Sequence, residues 1–263
     1  MPLRTTPAFG LLLKEWRRLR RKSQLTVALE ADISPRHLSF VESGRSSPSR
    51  EMVLTLAATL EVPLRERNAL LGAAGFAPVY TEAALDSAQM ARVNQAVRRF
   101  LEYLEPFPAV LMDRQWNVLQ TNRSAPRLFG LFVDVASLPE PRNLLRSIFD
   151  PAGLRPWIAN WDEVARTLVR RVYREAVEGV PDARVLTLLE ELRGLPDSPR
   201  PEPGGGELPF HPVEFRKDEL HLRFFSMVTT VGAPRDVTAQ ELRIEGLFPA
   251  DEATERFARE YLA

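Results

Sequence analysis

Apolar positions recur at helical spacing through the first quarter of the chain. Leu12, Leu13, Trp16 and Leu19 form one stripe, with Lys14, Arg17, Arg18, Arg20 and Arg21 around it. A second helix reads from Gln24 to Ala31, with Ser23 as its N-cap. Ser34-Pro35 opens a third, because serine caps and proline is tolerated at the first helical position, where its missing N–H would be an orphan. Ser43-Gly44 closes that helix and Pro48-Ser49 restarts the chain. Met52, Val53, Leu56, Ala57 and Leu60 give a fourth stripe; Val62-Pro63 breaks it, and Leu64 to Ala74 reads as a fifth helix. The pattern predicts an all-α, five-helix N-terminal domain over residues 1–75.

From Gly75 to Asp86 the periodicity lapses, and residues 76–105 read as a linker and a connecting helix whose apolar face is Met90, Val93, Val97, Phe100 and Leu104. A second domain is expected over 106–263. Ala109–Met112 and Trp116–Gln120 are strand-like, joined by a turn at Asp113-Arg114-Gln115. Helices are expected at Ser124–Phe129, Asn143–Phe149, along the stripe Trp161, Val164, Ala165, Leu168, Val172 and Ala176, and around Val185–Leu192. Residues 196–206, rich in proline and glycine, read as a flexible loop; Gly204-Gly205-Gly206 lacks the strand-then-helix context of a phosphate cradle. Two or three strands follow, the last with Leu242 and Ile244 inward and Glu241, Arg243 and Glu245 outward. This predicts an α+β domain with antiparallel strand pairs at its two ends and helices between.

Charge sharpens the division. The chain is neutral overall, but residues 1–75 hold twelve basic and seven acidic side chains, a net of +5, and the remainder carries −5. A basic head on an acidic body is expected when one domain meets phosphate and the other does not. The absence of cysteine excludes disulfides, thiolate metal sites and a cysteine nucleophile. His37, His211 and His221 have no metal-ligand spacing, so no metal or cofactor is expected. No run reaches membrane-spanning length and the basic N-terminus is not followed by a signal-peptide pattern, so a soluble, cytoplasmic protein is expected, with no membrane partner.

The segment Gln24 to Gly44 carries the most specific chemistry. A helix docked in the major groove needs one face on its own domain and another free for base edges. Leu38 and Val41, with Ile33 from the preceding turn, should face the core, leaving Arg36, Ser39, Phe40 and Ser43 opposite. Arg36 has the fork that suits guanine O6 and N7, and Phe40 could meet a thymine methyl or pack on the fourth helix. Gln24 can set its amide and a helix N-terminus against a phosphate, or simply cap. His37 fits a flanking phosphate or a partly buried position equally. The expected DNA-contacting set is Gln24, Ser34, Pro35, Arg36, His37, Ser39, Phe40 and Arg45, with double-stranded DNA as partner.

Gln24 to Ala31 followed by Ile33-Ser34-Pro35-Arg36-His37-Leu38-Ser39-Phe40-Val41-Glu42-Ser43-Gly44-Arg45 closely resembles the phage-repressor (xenobiotic-response-element) class of helix-turn-helix regulators. Ser47 to Leu54 and Val62 to Asn68 resemble the subgroup carrying an MmyB-like domain. Asp32 stands where that subgroup usually has glycine in the turn; aspartate tolerates the left-handed conformation better than most residues. The resemblance implies an ion pair between Arg17 and Glu42, and a homodimer on DNA.

The second half is similar to a PAS-like, MmyB-like sensor through Asp113, Trp116, Val118, Asn122, Leu128 and Gly130, then Arg142-Asn143-Leu144-Leu145, Phe149-Asp150-Pro151, Trp161, Ala165, Phe224 to Thr230 and Phe248 to Asp251. The proline- and glycine-rich loop near 200 departs from the pattern. The resemblance implies a cavity for a small apolar ligand of the fatty acid or acyl class. Val110, Met112, Phe129, Trp161, Phe224, Val228 and Ile244 are expected to line it, unless they make a filled core. Asn122, Arg142 and Asn143 could meet a carboxylate head. Two alternatives stand beside a ligand-responsive regulator. One is a regulator whose second domain only dimerises or binds a protein. The other is an enzyme with a DNA-binding head, for which the histidines offer no nucleophile arrangement.

Overall fold

A computed structural model describes residues 9–177, 183–194 and 212–263. The chain forms two compact units. Among the described residues, one takes in 9–82 together with Pro234–Gln240; the other holds Ala83–Glu175, 183–194, 212–233 and Glu241–Ala263.

The first unit contains α1 (Phe9–Leu19), α2 (Gln24–Glu30), α3 (Pro35–Glu42), α4 (Arg50–Thr59) and α5 (Leu64–Ala73). Three of these helices start on a serine whose hydroxyl accepts an orphan backbone N–H: Ser23 from Thr26 at 3.0 Å, Ser34 from His37 at 3.1 Å and Ser49 from Met52 at 3.2 Å. Their apolar stripes converge on one core, in which Leu13, Trp16, Val27, Ala28, Leu38, Val41, Val53 and Leu56 are buried, with Ile33 packed against them. Asp32 adopts φ +52°, the left-handed conformation the turn between α2 and α3 requires. Gly10 has a different role. A Cβ there would lie 2.5 Å from the carbonyl oxygen of Glu42 and 2.6 Å from that of Val41, so only glycine lets α1 rest on the end of α3.

Beyond α5 the chain is strapped back. Asn68 Oδ1 accepts from the backbone N–H groups of Val79 (3.0 Å) and Tyr80 (3.1 Å), and its Nδ2 donates to the Tyr80 carbonyl at 2.7 Å. Pro234–Gln240 joins the same unit. The Val237 N–H donates to the Thr81 carbonyl at 2.8 Å, Thr81 Oγ1 bonds Asp236 Oδ2 at 2.7 Å, and Gln240 Oε1 accepts from the Leu64 N–H at 2.7 Å. That last bond fills a local gap, since Pro63 supplies no side-chain cap to α5.

In the second unit, α6 (Ala91–Tyr103) leads to β1 (Ala109–Met112) and β2 (Val118–Thr121). Then come α7 (Ser124–Gly130), α8 (Leu144–Phe149), α9 (Trp161–Val177) and α10 (Ala183–Gly194). β3 (Val213–Lys217), β4 (Leu220–Thr230) and β5 (Arg243–Pro249) follow, with α12 (Glu252–Phe257) after β5; α11 (Val237–Glu241), between β4 and β5, falls almost wholly in the first unit. The strands make one antiparallel sheet in the order β2-β1-β5-β4-β3.

Three expectations change. The strand pairs at the two ends of the domain are not separate: β1 pairs with β5 (Leu111 opposite Ile244), which closes them into one sheet. Trp116 is not a strand residue but sits at φ +67° in the turn, where Asp113 Oδ1 accepts from the N–H groups of Gln115 (2.8 Å) and Asn117 (2.9 Å). And Glu245 on β5 is buried rather than facing solvent, because its face of the sheet is covered by α9, whose Arg171 meets it, while Leu242 precedes the strand. A strand covered on both faces loses the polar-out rule. The loop at 196–206, its triple glycine and His211 lie outside the described residues.

Candidate functional site

On α3 the core positions are Leu38, Val41 and Glu42. Ser34, Pro35, Arg36 and Arg45 are exposed, and His37, Ser39 and Phe40 are half-buried, so the expected reading face is continuous. The Phe40 ring is a platform for two cations: the Arg36 guanidinium lies 5.4 Å from its centroid and that of Arg45 lies 5.9 Å away. Each stacking contributes about 0.5–1 kcal/mol at an exposed site and limits the wandering of a flexible side chain. Phe40 thereby serves the arginines from the reading face itself. The α3 terminus is tied off by the Phe40 carbonyl, which accepts from the Arg45 N–H at 2.8 Å and the Ser46 N–H at 3.2 Å.

Behind this face lies the ion pair implied by the resemblance. Arg17 Nε donates to Glu42 Oε1 at 2.6 Å and Nη2 to Oε2 at 2.9 Å, a bidentate fork. Gln24 Nε2 donates to Glu42 Oε2 at 2.7 Å, so the Gln24 amide is turned inward, joining α2 to α1 and α3. Burial pushes the Glu42 carboxyl up, but hydrogen bonds from Arg17 and Gln24 and the charges of Arg17 and Lys14 outweigh it and hold it below its ordinary value. The hydrogen bond to Glu42 raises Arg17 in turn, against burial.

The second unit encloses an apolar cavity in two adjoining lobes, of about 110 and 70 Å³, which share Val110, Phe129, Leu144 and Leu154. The larger lobe adds Trp116, Ile148, Ile158, Val164, Leu168, Val213, Phe215 and Leu247, with Thr167, Arg171, Ser226 and Glu245 as its polar members. The smaller adds Val118, Val133, Val135, Leu138, Ser147 and Arg142. Two wider hollows, of about 500 and 510 Å³, are more open and more polar, and lack the enclosure a ligand's apolar body needs.

Of the residues expected to line the cavity, Val110, Phe129 and Arg142 do so. Met112 and Phe224 are fully buried and outside the lining, and Ile244 points to the opposite face of β5 from Glu245 and Leu247. Val228 is 44% exposed. Trp161 packs edge-on against Phe149, with ring centroids 5.0 Å apart. Asn122 and Asn143 are occupied structurally. Asn122 Oδ1 accepts from the N–H groups of Ala109 (3.0 Å) and Ala125 (3.1 Å), and Nδ2 donates to the Phe107 carbonyl at 2.8 Å. Asn143 caps α8 by accepting from the Arg146 N–H at 3.1 Å, and donates to the Gln115 carbonyl at 2.7 Å.

Sequence reasoning missed Trp116, Arg171 and Glu245 as cavity residues. A signal for Arg171 was present: it lies three positions after Leu168 and seven after Val164, inside the apolar stripe of α9. A charge on such a stripe calls for a buried partner.

Residues 93–260 match the family described as MmyB-like transcription regulator ligand binding domain, and residues 13–67 match Helix-turn-helix. The chain belongs to the MmyB-like transcription regulators. This regulator therefore joins a DNA-binding helix-turn-helix to a ligand-binding domain, and neither family is an enzyme family. Curated proteins yield no match. Among solved structures, one titled "Structure of an RNA-binding Light-Oxygen-Voltage Receptor" overlaps at 12% identity and a TM-score of 0.32, covering 96% of this chain and 61% of that one. This MmyB-like chain thus spans less than two thirds of that structure, and the likeness is too loose to bear on its fold or activity. Among the described residues, no helix is long and apolar enough to cross a membrane.

Proposed function

We propose that this protein is a homodimeric, cytoplasmic regulator that reads the major groove with α3 and adjusts its DNA affinity when a slender apolar ligand, a fatty acid or other acyl compound, enters the C-terminal cavity. The observation that carries the reading is the enclosed, two-lobed apolar cavity within the matched ligand-binding domain. An acyl chain suits two small lobes that share one wall, because it is narrow and bends at little cost.

On the DNA side, Arg36, Arg45 and the half-buried Phe40 form the base-reading group, with Ser34, Pro35, His37 and Ser39 beside the backbone. Gln24 takes the α2 N-terminus to a phosphate, its side chain positioned by Glu42. Two copies on a near-palindromic site would place half-sites about one helical turn, roughly 34 Å, apart. To act as an effector, the ligand must bind the DNA-competent and DNA-incompetent states with different affinities.

The test is mass spectrometry of the denatured, purified protein for a co-purified apolar molecule. The delipidated chain is then titrated with fatty acids of graded length, reading thermal stability and operator affinity. A definite optimum length that also changes operator affinity supports the sensor. No stabilisation by any acyl compound would reduce the C-terminal unit to a dimerisation or partner-binding module. Operator binding itself should weaken steeply with salt, each neutralised phosphate contributing about −0.9 to the slope of log K against log salt.

A further inference from the structure

We infer that two copies of this chain join through the open edge of β4, strand to strand, across a twofold axis at Val228. This rests on the homodimer of the proposed function and names its surface.

β4 is the longest strand described, at eleven residues, and β3 covers only part of it. Pairing with β3 runs from Leu220, opposite Lys217, to Phe224, opposite Val213, and stops there. On its other side β4 stays paired with β5 as far as Thr230, opposite Arg243. Ser226–Thr230 is therefore an edge, and all five residues are exposed, Met227 by 58%. The phase of the ladder fixes which groups are open. The Ala250 N–H donates to the Arg223 carbonyl at 2.8 Å, so Arg223, Phe225, Met227 and Thr229 turn their backbone groups to β5. The Leu247 N–H donates to the Pro108 carbonyl at 2.8 Å, which leaves Ile244, Gly246 and Phe248 facing β4 in the same phase. The N–H and C=O groups of Ser226, Val228 and Thr230 then point outward, and among the described residues no strand meets them.

The margins of the sheet are tied elsewhere. On β3 the Glu214 carbonyl accepts from the Ala159 N–H, and on β2 the Val118 N–H donates to the Arg142 carbonyl, both at 2.7 Å. Exposed edges are ordinarily guarded by charge, proline or a bulge. From Phe224 to Val231 the sequence is Phe-Phe-Ser-Met-Val-Thr-Thr-Val, with no charge, proline or glycine. Such a strand suits a second copy of itself. Antiparallel self-pairing sets a stretch against its own image, where like charges would repel. A twofold axis at Val228 is the register that uses all three open residues. Val228 then faces the partner's Val228, Ser226 faces the partner's Thr230, and Met227 packs beside the partner's Thr229. About six backbone hydrogen bonds form, two at each facing pair. Five residues a side is fewer than the roughly 20–30 of a standard interface, so the pair is reversible. Two half-sites on one DNA complete it by raising the effective concentration. Ser226 also lines the larger lobe, so the interface strand is a wall of the cavity.

The chain has no cysteine, so one introduced thiol reports one position. In the full-length protein at micromolar concentration, a short bismaleimide should join Val228→Cys into a covalent dimer, since residues so opposed have Cα atoms about 5.5 Å apart. Tyr103→Cys, at an exposed position on α6, should stay monomeric under the same treatment. Sedimentation of the native chain should show a monomer–dimer equilibrium. Val228→Pro removes only an edge-facing N–H and should weaken that equilibrium about tenfold or more. Val228→Lys should weaken it as well, and high salt should restore its dimer, which a misfolded chain would not allow. A native dimer that both variants leave intact overturns the inference and keeps the homodimer. So does cross-linking of Tyr103→Cys without that of Val228→Cys. A native chain that sediments as a monomer throughout the micromolar range overturns both.

Discussion

Replacing Glu42 by glutamine keeps the volume of the side chain and removes the charge that three helices share. The Glu42 side chain is 3% exposed and that of Arg17 13%. The variant leaves Arg17 without its bidentate acceptor and sets an amide N–H near the donors of Arg17 and Gln24. One-sided loss of a fully buried pair costs about 3–5 kcal/mol. Arg17 keeps a bond from Nη1 to the Lys22 carbonyl at 3.2 Å and touches water, which lowers the expectation to about 2–3 kcal/mol. Hydrogen exchange read on peptides covering α1 and α3 in the full-length chain should then show protection falling by roughly 30- to 150-fold, since about 1.4 kcal/mol is a factor of ten. The pH dependence has a definite sign. Glu42 is held below its ordinary value in the folded chain, so its stabilisation is present above the unfolded carboxylate range and is lost as pH falls through the folded value. The native chain should therefore approach the variant in acid and separate from it toward neutral pH. Unchanged protection in Glu42→Gln, combined with weakened operator binding, would refute the scaffold argument and move Glu42 to the DNA interface.

Arg36→Ala should relax base preference at one position per half-site, by about 1–3 kcal/mol; selection from randomised operators that returns an unchanged preference would remove Arg36 from the reading role. Gly10→Ala forces α1 off the Val41 and Glu42 carbonyls and should cost about 1–3 kcal/mol, seen as lower thermal stability of the full chain; an unaltered melting curve would show that α1 can shift freely. Gln240→Ala removes the acceptor for the Leu64 N–H and should cost about 0.5–2 kcal/mol, as loss of a helix cap does. Faster amide exchange at the start of α5 is the readout, and no change there would mean that water replaces the Gln240 oxygen.

The helices of the first unit were legible because each rests on local chemistry: a serine cap, a proline or glycine boundary, and an apolar stripe at period 3.6. The face of α3 followed from the same periodicity, as Leu38 and Val41 inside and Arg36 outside confirm. The five helices and the basic head were thus determined by sequence alone. Other features depend on pairs far apart in the chain. Gln240 capping α5 joins residues 176 apart, and β1 reaches β5 across more than a hundred and thirty positions. No local pattern encodes such pairings. Burial on β5 was misread for the same reason, because alternation describes a strand with one wet face and β5 has none. The cavity shows the limit most clearly. Val110 and Phe129 were legible as apolar residues on facing elements; Arg171 was marked only as a charge on an apolar stripe, and Glu245 and Trp116 carry no individual sequence mark of a binding site. Their meaning depends on α9, β5 and the turn after β1 meeting at one place. The sequence determines which side chains can be buried, and only the tertiary contacts decide which charges are buried together.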